Sequence, residues 1–220
     1  MIQRLPMITQ MNQILEALLY KLHLNKYNMN RTEIINGLIS KNGYKSYLEI
    51  GCQNNRNFNL IICQNKIGID PERGGTIQMT SDDYFKSIEK EGELFDIVFI
   101  DGLHHKEQVI KDVKNTLKHL SKKGTIILHD CLPTTEEMQK VPRIQKVWTG
   151  NVWEAIVELR KTRINLNIFT IDTDMGCGVI QFGKQEKLIN EDPINYKNFE
   201  KNKKKWMNII SIEEFKEKYL

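Results

Sequence analysis

Cysteine is scarce in this sequence, and the few that occur are scattered. Cys52, Cys63, Cys131 and Cys177 form neither a CxxC pair nor the spacing of zinc ligands. Isolated thiols in a chain without a secretory signal predict reduced residues and argue against a disulfide framework. The sequence begins Met-Ile-Gln-Arg-Leu-Pro, which lacks the continuous apolar stretch of a signal peptide. We therefore expect a cytoplasmic protein.

Long apolar runs and strong charge of one sign are also missing. No stretch of roughly 18 apolar residues occurs, so we expect no membrane span. The formal net charge is only +4, and the densest basic run, at 201–205, is typical of the solvated face of a terminal helix. Nucleic-acid binding would call for a concentrated basic stripe, so the charge pattern gives no strong signal for that partner.

What the sequence does contain is typical of one globular domain. It has 220 residues, of which 40% are hydrophobic and 27% charged, so we expect a packed core. Apolar residues recur at helical spacing from Met7 to Leu22, and a second helix is predicted over Thr32–Ser40, ending near Gly43. We expect a single domain over 1–220, with an N-terminal helical cap (1–43), a central core (44–183) and a C-terminal helical extension (184–220).

Short apolar runs alternate with helical segments through the predicted core. Four runs predict strands, at Tyr47–Ile50, Lys66–Ile69, Ile97–Ile100 and Thr125–Leu128, and helical spacing predicts a helix over Glu107–Leu120. This alternation is typical of βαβ units with a parallel sheet buried on both sides. Near the end, Leu166–Ile171 and Gly178–Phe182 are joined by a short link that suits an antiparallel pair. The sequence therefore predicts an α/β fold.

Two of the predicted strands end in residues suited to a nucleoside. Glu49-Ile50-Gly51 places an acid and a glycine at a strand-to-helix turn, where a missing side chain allows close approach of a ligand. The turn is not GxGxxG, because asparagines stand where later glycines would be, and asparagine tolerates left-handed backbone angles. Asp70 ends the second strand about twenty residues on, where a ribose diol is usually held. A plain tight turn and a turn aspartate are the structural alternatives.

Two further strand ends carry acids, and a histidine follows one of them. Asp101 and Asp130 end the predicted strands before and after the helix over Glu107–Leu120, so their carboxylates should lie on neighbouring strands. Converging carboxylates are typical ligands of Mg²⁺ or Mn²⁺. His104 follows Asp101 by three residues and could take a proton from a substrate hydroxyl. Each residue alone could be a helix cap or an exposed loop residue; together they predict a catalytic site.

In order along the chain, the motifs resemble those of class I S-adenosylmethionine-dependent methyltransferases. They are Glu49-Ile50-Gly51, Gly68-Ile69-Asp70-Pro71, Met79-Thr80-Ser81-Asp82, Ile100-Asp101-Gly102-Leu103-His104, Leu128-His129-Asp130-Cys131 and Gly150-Asn151-Val152-Trp153. The branch it resembles most contains small enzymes of glycan pathways, related to metal-dependent sugar O-methyltransferases. The resemblance implies a Rossmann-like, seven-stranded, mostly parallel sheet whose last strand is antiparallel.

The resemblance also implies roles for individual residues. Glu49 and Gly51 would face the methionine end of S-adenosylmethionine, and Asp70 its ribose. Ser81 and Asp82 would lie near the adenine. The remaining implied roles concern the reacting groups: Asp101 and Asp130 would hold Mg²⁺ or Mn²⁺, with Asp101 also beside the cofactor, and His104 would be the general base. The expected reaction is methyl transfer to a hydroxyl of a sugar or glycan.

One residue departs from the pattern of the sugar enzymes. The residue before the second metal aspartate is usually acidic there, whereas here it is His129, which could be a ligand itself or point away. Four alternatives stay open: a methyltransferase acting on nucleic acid or protein, one acting on another small molecule, an NAD-dependent oxidoreductase, and a cofactor-binding subunit of a glycan-synthesis system that has no chemistry of its own. A homo-oligomer also stays open. Contacts to the acceptor are expected from the N-terminal helices and from Pro133–Trp153, where Trp148 or Trp153 could stack on a sugar, although the helical spacing after Trp153 favours core packing.

Overall fold

The computed structural model describes residues 29–220, so the helix predicted from Met7 to Leu22 lies outside the described residues. The first described helix, α1 (Arg31–Asn42), confirms the second predicted helix. It begins with a capping box, in which the Asn30 side chain accepts from the Glu33 amide and the Glu33 carboxylate accepts from the Asn30 amide. It ends at Gly43, whose φ of 65° is the left-handed conformation of a helix C-terminus.

The chain then alternates between strands and helices as the sequence predicts. The strands are β1 (Ser46–Ile50), β2 (Asn65–Asp70), β3 (Ile77–Gln78), β4 (Phe95–Ile100), β5 (Leu120–Leu128), β6 (Leu166–Ile171), β7 (Cys177–Phe182) and β8 (Ile209–Ile210). The further helices are α2 (Ser81–Ser87), α3 (Lys106–Lys118), α4 (Val152–Thr162), α5 (Tyr196–Trp206) and α6 (Ile212–Tyr219). Two 3₁₀ turns, Phe58–Leu60 and Glu137–Gln139, lie in the connections.

All eight strands form one sheet in the order β3-β2-β1-β4-β5-β7-β6-β8. The strands from β3 to β5 are parallel, and β7 runs antiparallel to both β5 and β6. The predicted α/β Rossmann-like fold with one antiparallel strand is therefore confirmed. Chain order reverses between β1 and β4, which is the switch point where open α/β sheets bind ligands.

The structure corrects two details of the sequence prediction. Leu120 was predicted on the helix before β5, but it opens β5 and pairs with Phe95 of β4. Ile209 and Ile210 were predicted in a helical extension, but they form β8 beside Thr170 and Ile171. This eighth strand extends a sheet predicted to have seven. Pairing with the sheet edge satisfies the backbone hydrogen bonds of these two residues. A strand of two residues is too short to show in the spacing of apolar residues.

Helices cover both faces of the sheet. The first core contains β-strand side chains packed against α2, α3, α4 and α5, including Trp153, which is fully buried against Phe199 and Trp206. The second packs α1 and α6 on the opposite face. Trp153 is thus a core residue, as its helical spacing predicts, and is not available to stack on a sugar. None of the helices described over residues 29–220 is long and apolar enough to cross a membrane.

Candidate active site

A cleft of about 740 Å³ opens at the carboxyl ends of the parallel strands. It is lined by all nine residues that the sequence singles out: Glu49, Gly51, Asp70, Ser81, Asp82, Asp101, His104, His129 and Asp130. These residues come from five segments that are far apart in sequence. The shared sheet edge brings them together, because the carboxyl ends of parallel strands meet there.

The turn after β1 needs glycine at position 51 because the backbone at the end of β4 passes close to it. Gly51 has a φ of 90°, and a Cβ there would lie 2.3 Å from the carbonyl oxygen of Asp101. Asn55 has a φ of 61° and accepts from the Gly75 amide at 2.7 Å, so an asparagine does take the left-handed conformation expected in this turn. The missing side chain of Gly51 therefore lets β1 and β4 end side by side, in addition to any room it leaves for a ligand.

Glu49 is buried at the base of the cleft. Its Oε2 accepts hydrogen bonds from the Tyr47 hydroxyl and from Asn57 Nδ2 at 2.9 Å. Asn57 in turn accepts from the Thr32 hydroxyl of α1 at 2.7 Å. Burial raises the pKa of Glu49 to about 7, although the hydrogen bonds from Tyr47 and Asn57 favour the charged form. A cation bound beside Glu49 would relieve this cost.

Asp70 is engaged with its own turn. Oδ2 accepts from the Gln53 amide at 2.8 Å, and Oδ1 accepts from the amides of Glu72 and Arg73 at 2.9 and 3.0 Å. Burial opposes ionisation, but these three amides lower the pKa of Asp70 below its ordinary value. The carboxylate thus ties the turn after β1 to the end of β2, and Asp70 also lines the cleft.

Ser81 and Asp82 open α2 and belong to a polar cluster that also includes α3. The Ser81 hydroxyl donates to Asp112 Oδ1 at 2.6 Å, and Asp82 forms an ion pair of 2.6 Å with Lys111. Gln108 donates to Ser81, Asp82 and Asp112 at 3.0–3.2 Å. Burial raises the pKa of Asp112 to about 6, against the hydrogen bonds from Ser81 and Gln108. Sequence reasoning missed Gln108 and Asp112, which look like ordinary residues of an amphipathic helix.

Asp101, His104 and Asp130 meet at the ends of β4 and β5. One ligand atom from each lies within 4.8 Å of the others. His104 Nε2 is 3.3 Å from Asp101 Oδ1, and Nδ1 is 3.2 Å from Asp130 Oδ2. The geometry at Nδ1 is not that of a hydrogen bond, so this buried nitrogen has no hydrogen-bond partner among the described residues. Asp130 itself has a φ of 59°, a strained conformation typical of functional sites.

His129 lies beside this cluster and faces acids on both sides. Nδ1 is 3.3 Å from Asp101 and from Asp130, and Nε2 is 3.5 Å from Asp174. Burial favours the neutral ring, but hydrogen bonds to the three carboxylates raise the pKa of His129 to about 11. Arg31 Nη1 also lies 2.5 Å from His129 Nε2.

Arg31 and Asp174 are site residues that sequence reasoning missed. Arg31, at the first position of α1, donates from its backbone amide to Asp174 Oδ2 at 2.9 Å and from Nη1 to Asp174 Oδ1 at 3.3 Å. Asp174 occupies the β6–β7 turn with a φ of 48°. The aspartates of that short link were the available signal, but only the fold shows that the turn reaches the end of β5. The first turn of α1 thereby contacts both halves of the cleft, through Thr32 and through Arg31.

Trp148 forms the wall next to His104. The two rings stack with centroids 5.3 Å apart and planes inclined by 16°, and the Arg143 guanidinium lies 5.6 Å from the Trp148 ring. Behind this wall, Gly150 has a φ of 59°, and a Cβ there would lie 1.9 Å from the His104 carbonyl oxygen. Asn151 Oδ1 accepts a hydrogen bond from the Lys106 backbone amide at 2.8 Å, and the Asn151 backbone amide donates to the His104 carbonyl oxygen at 3.2 Å. The segment 148–151 therefore fixes the loop that carries His104.

Comparison with known proteins bears on the fold of the chain. Residues 45–131 match the family model described as a methyltransferase domain. With the sheet described above, this similarity gives the chain a Rossmann-like methyltransferase fold. That match covers the strands β1, β2 and β4 and ends just after the acid at the end of β5, so it includes Glu49, Asp70, Asp101 and Asp130.

Solved structures share the fold at low sequence identity. A methyltransferase of Podospora anserina, PaMTH1, with bound S-adenosylhomocysteine, is 15% identical; the alignment covers 70% of this chain and 78% of that one, with a TM-score of 0.55. The O-methyltransferase TomG of Streptomyces achromogenes, involved in tomaymycin synthesis and solved with S-adenosylmethionine, is 14% identical, with coverages of 70% and 79% and a TM-score of 0.52. A search of curated proteins finds no match to the sequence.

Proposed function

We propose that this methyltransferase domain transfers a methyl group from S-adenosylmethionine to a hydroxyl of a sugar or glycan. The observation that carries the proposal is the meeting of Asp101, His104 and Asp130 in the same cleft that Glu49, Gly51 and Asp70 line. The predicted cofactor subsite and the acid–base cluster would thus share one cavity. Methyl transfer to a hydroxyl needs this pairing, because an alcohol is a weak nucleophile until its proton is removed.

The cofactor would lie along the ends of β1, β2 and β4. Glu49 would pair with the methionine ammonium, Asp70 with the ribose, and the Ser81–Asp82 segment with the adenine side. Arg31 would hold the methionine carboxylate: it is the cation whose charge acts on Glu49, and only its Nη1 and backbone amide are engaged with other described residues. A planar guanidinium with donors to spare suits a carboxylate.

The acid–base cluster fits a divalent cation. The carboxylates of Asp101 and Asp130 supply the oxygen ligands that Mg²⁺ and Mn²⁺ prefer. Asp101 and Asp130 would hold the ion, and His129 Nδ1, which lies 3.3 Å from both carboxylates, would join them as a third ligand only after losing its proton. When bound, such an ion supplies charge that stabilises a developing alkoxide.

His104 would accept the proton of the attacking hydroxyl. Burial lowers the pKa of His104, but the neighbouring Asp101 and Asp130 raise it above its ordinary value. The ring is held in place by its stack on Trp148 and by the contacts of its backbone with Asn151. A fixed base of this kind contributes roughly 10²–10⁴-fold to the rate, and alignment of the hydroxyl with the sulfonium methyl supplies much of the remainder.

The first test is calorimetric titration of the protein with S-adenosylhomocysteine, with and without Mg²⁺. We expect micromolar binding, and the absence of binding in both conditions would refute the cofactor assignment. Methylation of a panel of glycans by wild-type protein and by His104→Ala then tests the chemistry. Full turnover by His104→Ala with normal cofactor binding would refute the base assignment. Binding without turnover on any acceptor would instead indicate a cofactor-binding subunit.

A further inference from the structure

The segment 138–150, which we call the mouth loop, projects beside the cleft. Its two ends are joined, because the amides of Thr149 and Gly150 both donate to the carbonyl oxygen of buried Met138, at 2.9 and 3.2 Å. Within the loop, Trp148 Nε1 donates to the Lys140 carbonyl oxygen at 2.6 Å and Arg143 Nε donates to the Gln145 carbonyl oxygen at 2.8 Å. The loop is therefore shaped by its own hydrogen bonds, which leaves its outer side chains free of the protein body.

Those outer side chains combine apolar groups with positive charge in a regular pattern. Three branched apolar residues, spaced three apart, are 42%, 57% and 54% exposed: Val141, Ile144 and Val147. Three exposed cations precede them one by one: Lys140, Arg143 and Lys146. No carboxylate occurs in 138–150 itself, although the exposed Glu136 and Glu137 precede it and Glu137 feels the charge of Lys140. Within the described part of the chain none of these three cations forms an ion pair.

We infer that the mouth loop docks on anionic lipid bilayers, with its cations among the headgroups and its apolar side chains at the edge of the acyl region. Clustered apolar exposure marks an interaction surface, and the added charge selects an anionic one. Trp148, half-buried at the base of the loop, is a residue type that favours the membrane interface. An acidic protein surface would complement the charge, but it would not need three separately projecting branched side chains.

The position of the loop gives this docking a consequence for the acceptor. Arg143 and Trp148 belong to the loop and also line the cleft. Docking would therefore bring the mouth of the cleft to the bilayer surface. This part of the inference rests on the proposed function, and it specifies the acceptor as a glycan carried on a lipid. Membrane binding itself can be tested without any acceptor or cofactor, so the two proposals can fail separately.

The test is co-sedimentation with vesicles of phosphatidylcholine alone or mixed equally with phosphatidylglycerol. We expect binding only to the anionic vesicles, weakening as salt is raised. Lys140→Glu with Lys146→Glu should weaken it more than tenfold, since each cation near an anionic surface contributes roughly fivefold. Ile144→Ser with Val147→Ser should also weaken it at least tenfold. None of these four residues lines the cleft.

Matched controls separate the loop from general charge. Lys201→Glu with Lys204→Glu removes two exposed lysines from α5, and Ile189→Ser removes an isoleucine that is 73% exposed elsewhere; both variants should bind as wild type. Brominated lipids should quench Trp148 selectively, because Trp153 and Trp206 are buried. The inference is overturned if anionic vesicles do not bind, or if the α5 variant loses binding as much as the loop variants. It is equally overturned if the Ile144→Ser and Val147→Ser variant binds vesicles as wild type does. If that variant then loses self-association measured by light scattering, the loop contacts a second copy of the chain instead.

Discussion

Replacement of Glu49 by glutamine should stabilise the protein and weaken its hold on the cofactor. Both hydrogen bonds to the side chain, from Tyr47 and Asn57, go to Oε2, so the amide oxygen of glutamine can accept both. Burial raises the pKa of Glu49 from 4.5 to about 7. A rise of about 2.5 units at roughly 1.4 kcal/mol each means that the ionised carboxylate costs the folded state about 3 kcal/mol.

The sign of this effect sets the pH at which it is seen. Below pH 4.5 the carboxyl is neutral in both the folded and the unfolded chain, so its ionisation costs nothing there. Between 4.5 and about 7 the unfolded chain loses the proton first, so wild-type stability falls as the pH rises and then levels off. Glu49→Gln escapes this loss. We expect its free energy of unfolding to exceed that of wild type by about 3 kcal/mol at pH 8.5, or very roughly 6–12 °C in Tm.

Two assays check the prediction. Denaturant unfolding at pH 5 and pH 8.5 should show the advantage of Glu49→Gln growing with pH, whereas Glu72→Gln, which removes an exposed carboxylate of the same cleft, should show none. Titration with S-adenosylhomocysteine at pH 7 should release about half a proton from wild-type protein, because a bound ammonium would ionise Glu49. Equal stability of wild type and Glu49→Gln at both pH values would refute the reasoning about burial.

Three other substitutions test separate parts of the site. Arg31→Ala should weaken the binding of S-adenosylhomocysteine, measured by calorimetry, about 10-fold or more, but should leave 5′-methylthioadenosine, which lacks the carboxylate, bound as before. Arg31→Lys should restore part of the loss. Equal weakening of both ligands would instead indicate a structural role for Arg31. Asp112→Asn should be more stable than wild type at pH 8 by up to about 3 kcal/mol, because burial raises the pKa of Asp112 to about 6. This advantage should shrink below pH 6. A difference in denaturant unfolding that does not change with pH would contradict the prediction. Gly150→Ala should lower Tm, because the new Cβ would lie 1.9 Å from the His104 carbonyl oxygen and the φ of 59° is strained for alanine. Gly92 has a similar φ of 66° but open space around it, so Gly92→Ala should lower Tm only through the backbone strain. Equal losses in the two variants would mean that the contact with His104 does not matter.

The acid–histidine cluster gives one more prediction. Asp130→Asn should abolish any effect of Mg²⁺ on methyl transfer while cofactor binding persists, because Asp130 belongs to the cluster and lies outside the turn after β1 that is proposed to bind the cofactor. Titration with Mn²⁺, followed by its paramagnetic effect on water relaxation, measures the metal directly. Metal binding that survives in Asp130→Asn and is lost in His129→Ala would assign the ion to a different ligand set.

Much of the fold was determined by the sequence itself. The strands β1, β2, β4 and β5 were predicted because each is a short β-branched or aromatic run bounded by polar residues or glycine, a local signal that burial on both faces of a parallel sheet produces. The acids that end those strands were predictable for the same reason, since a residue placed after a buried strand must reach the sheet edge. Asp101, His104 and Asp130 therefore needed no structure to be singled out.

Tertiary structure decided the partners of those residues. Arg31 and Asp174 reach His129 from the start of α1 and from the β6–β7 turn, 98 and 45 positions away in sequence, and no local pattern encodes such contacts. The strand at Ile209–Ile210 likewise exists only because an open sheet edge accepts it. Local periodicity reports which face of an element is buried, whereas contacts between distant loops depend on how the whole sheet twists and closes. The sequence thus determined which chemical groups stand at the sheet edge, and the folded chain decided which of them touch.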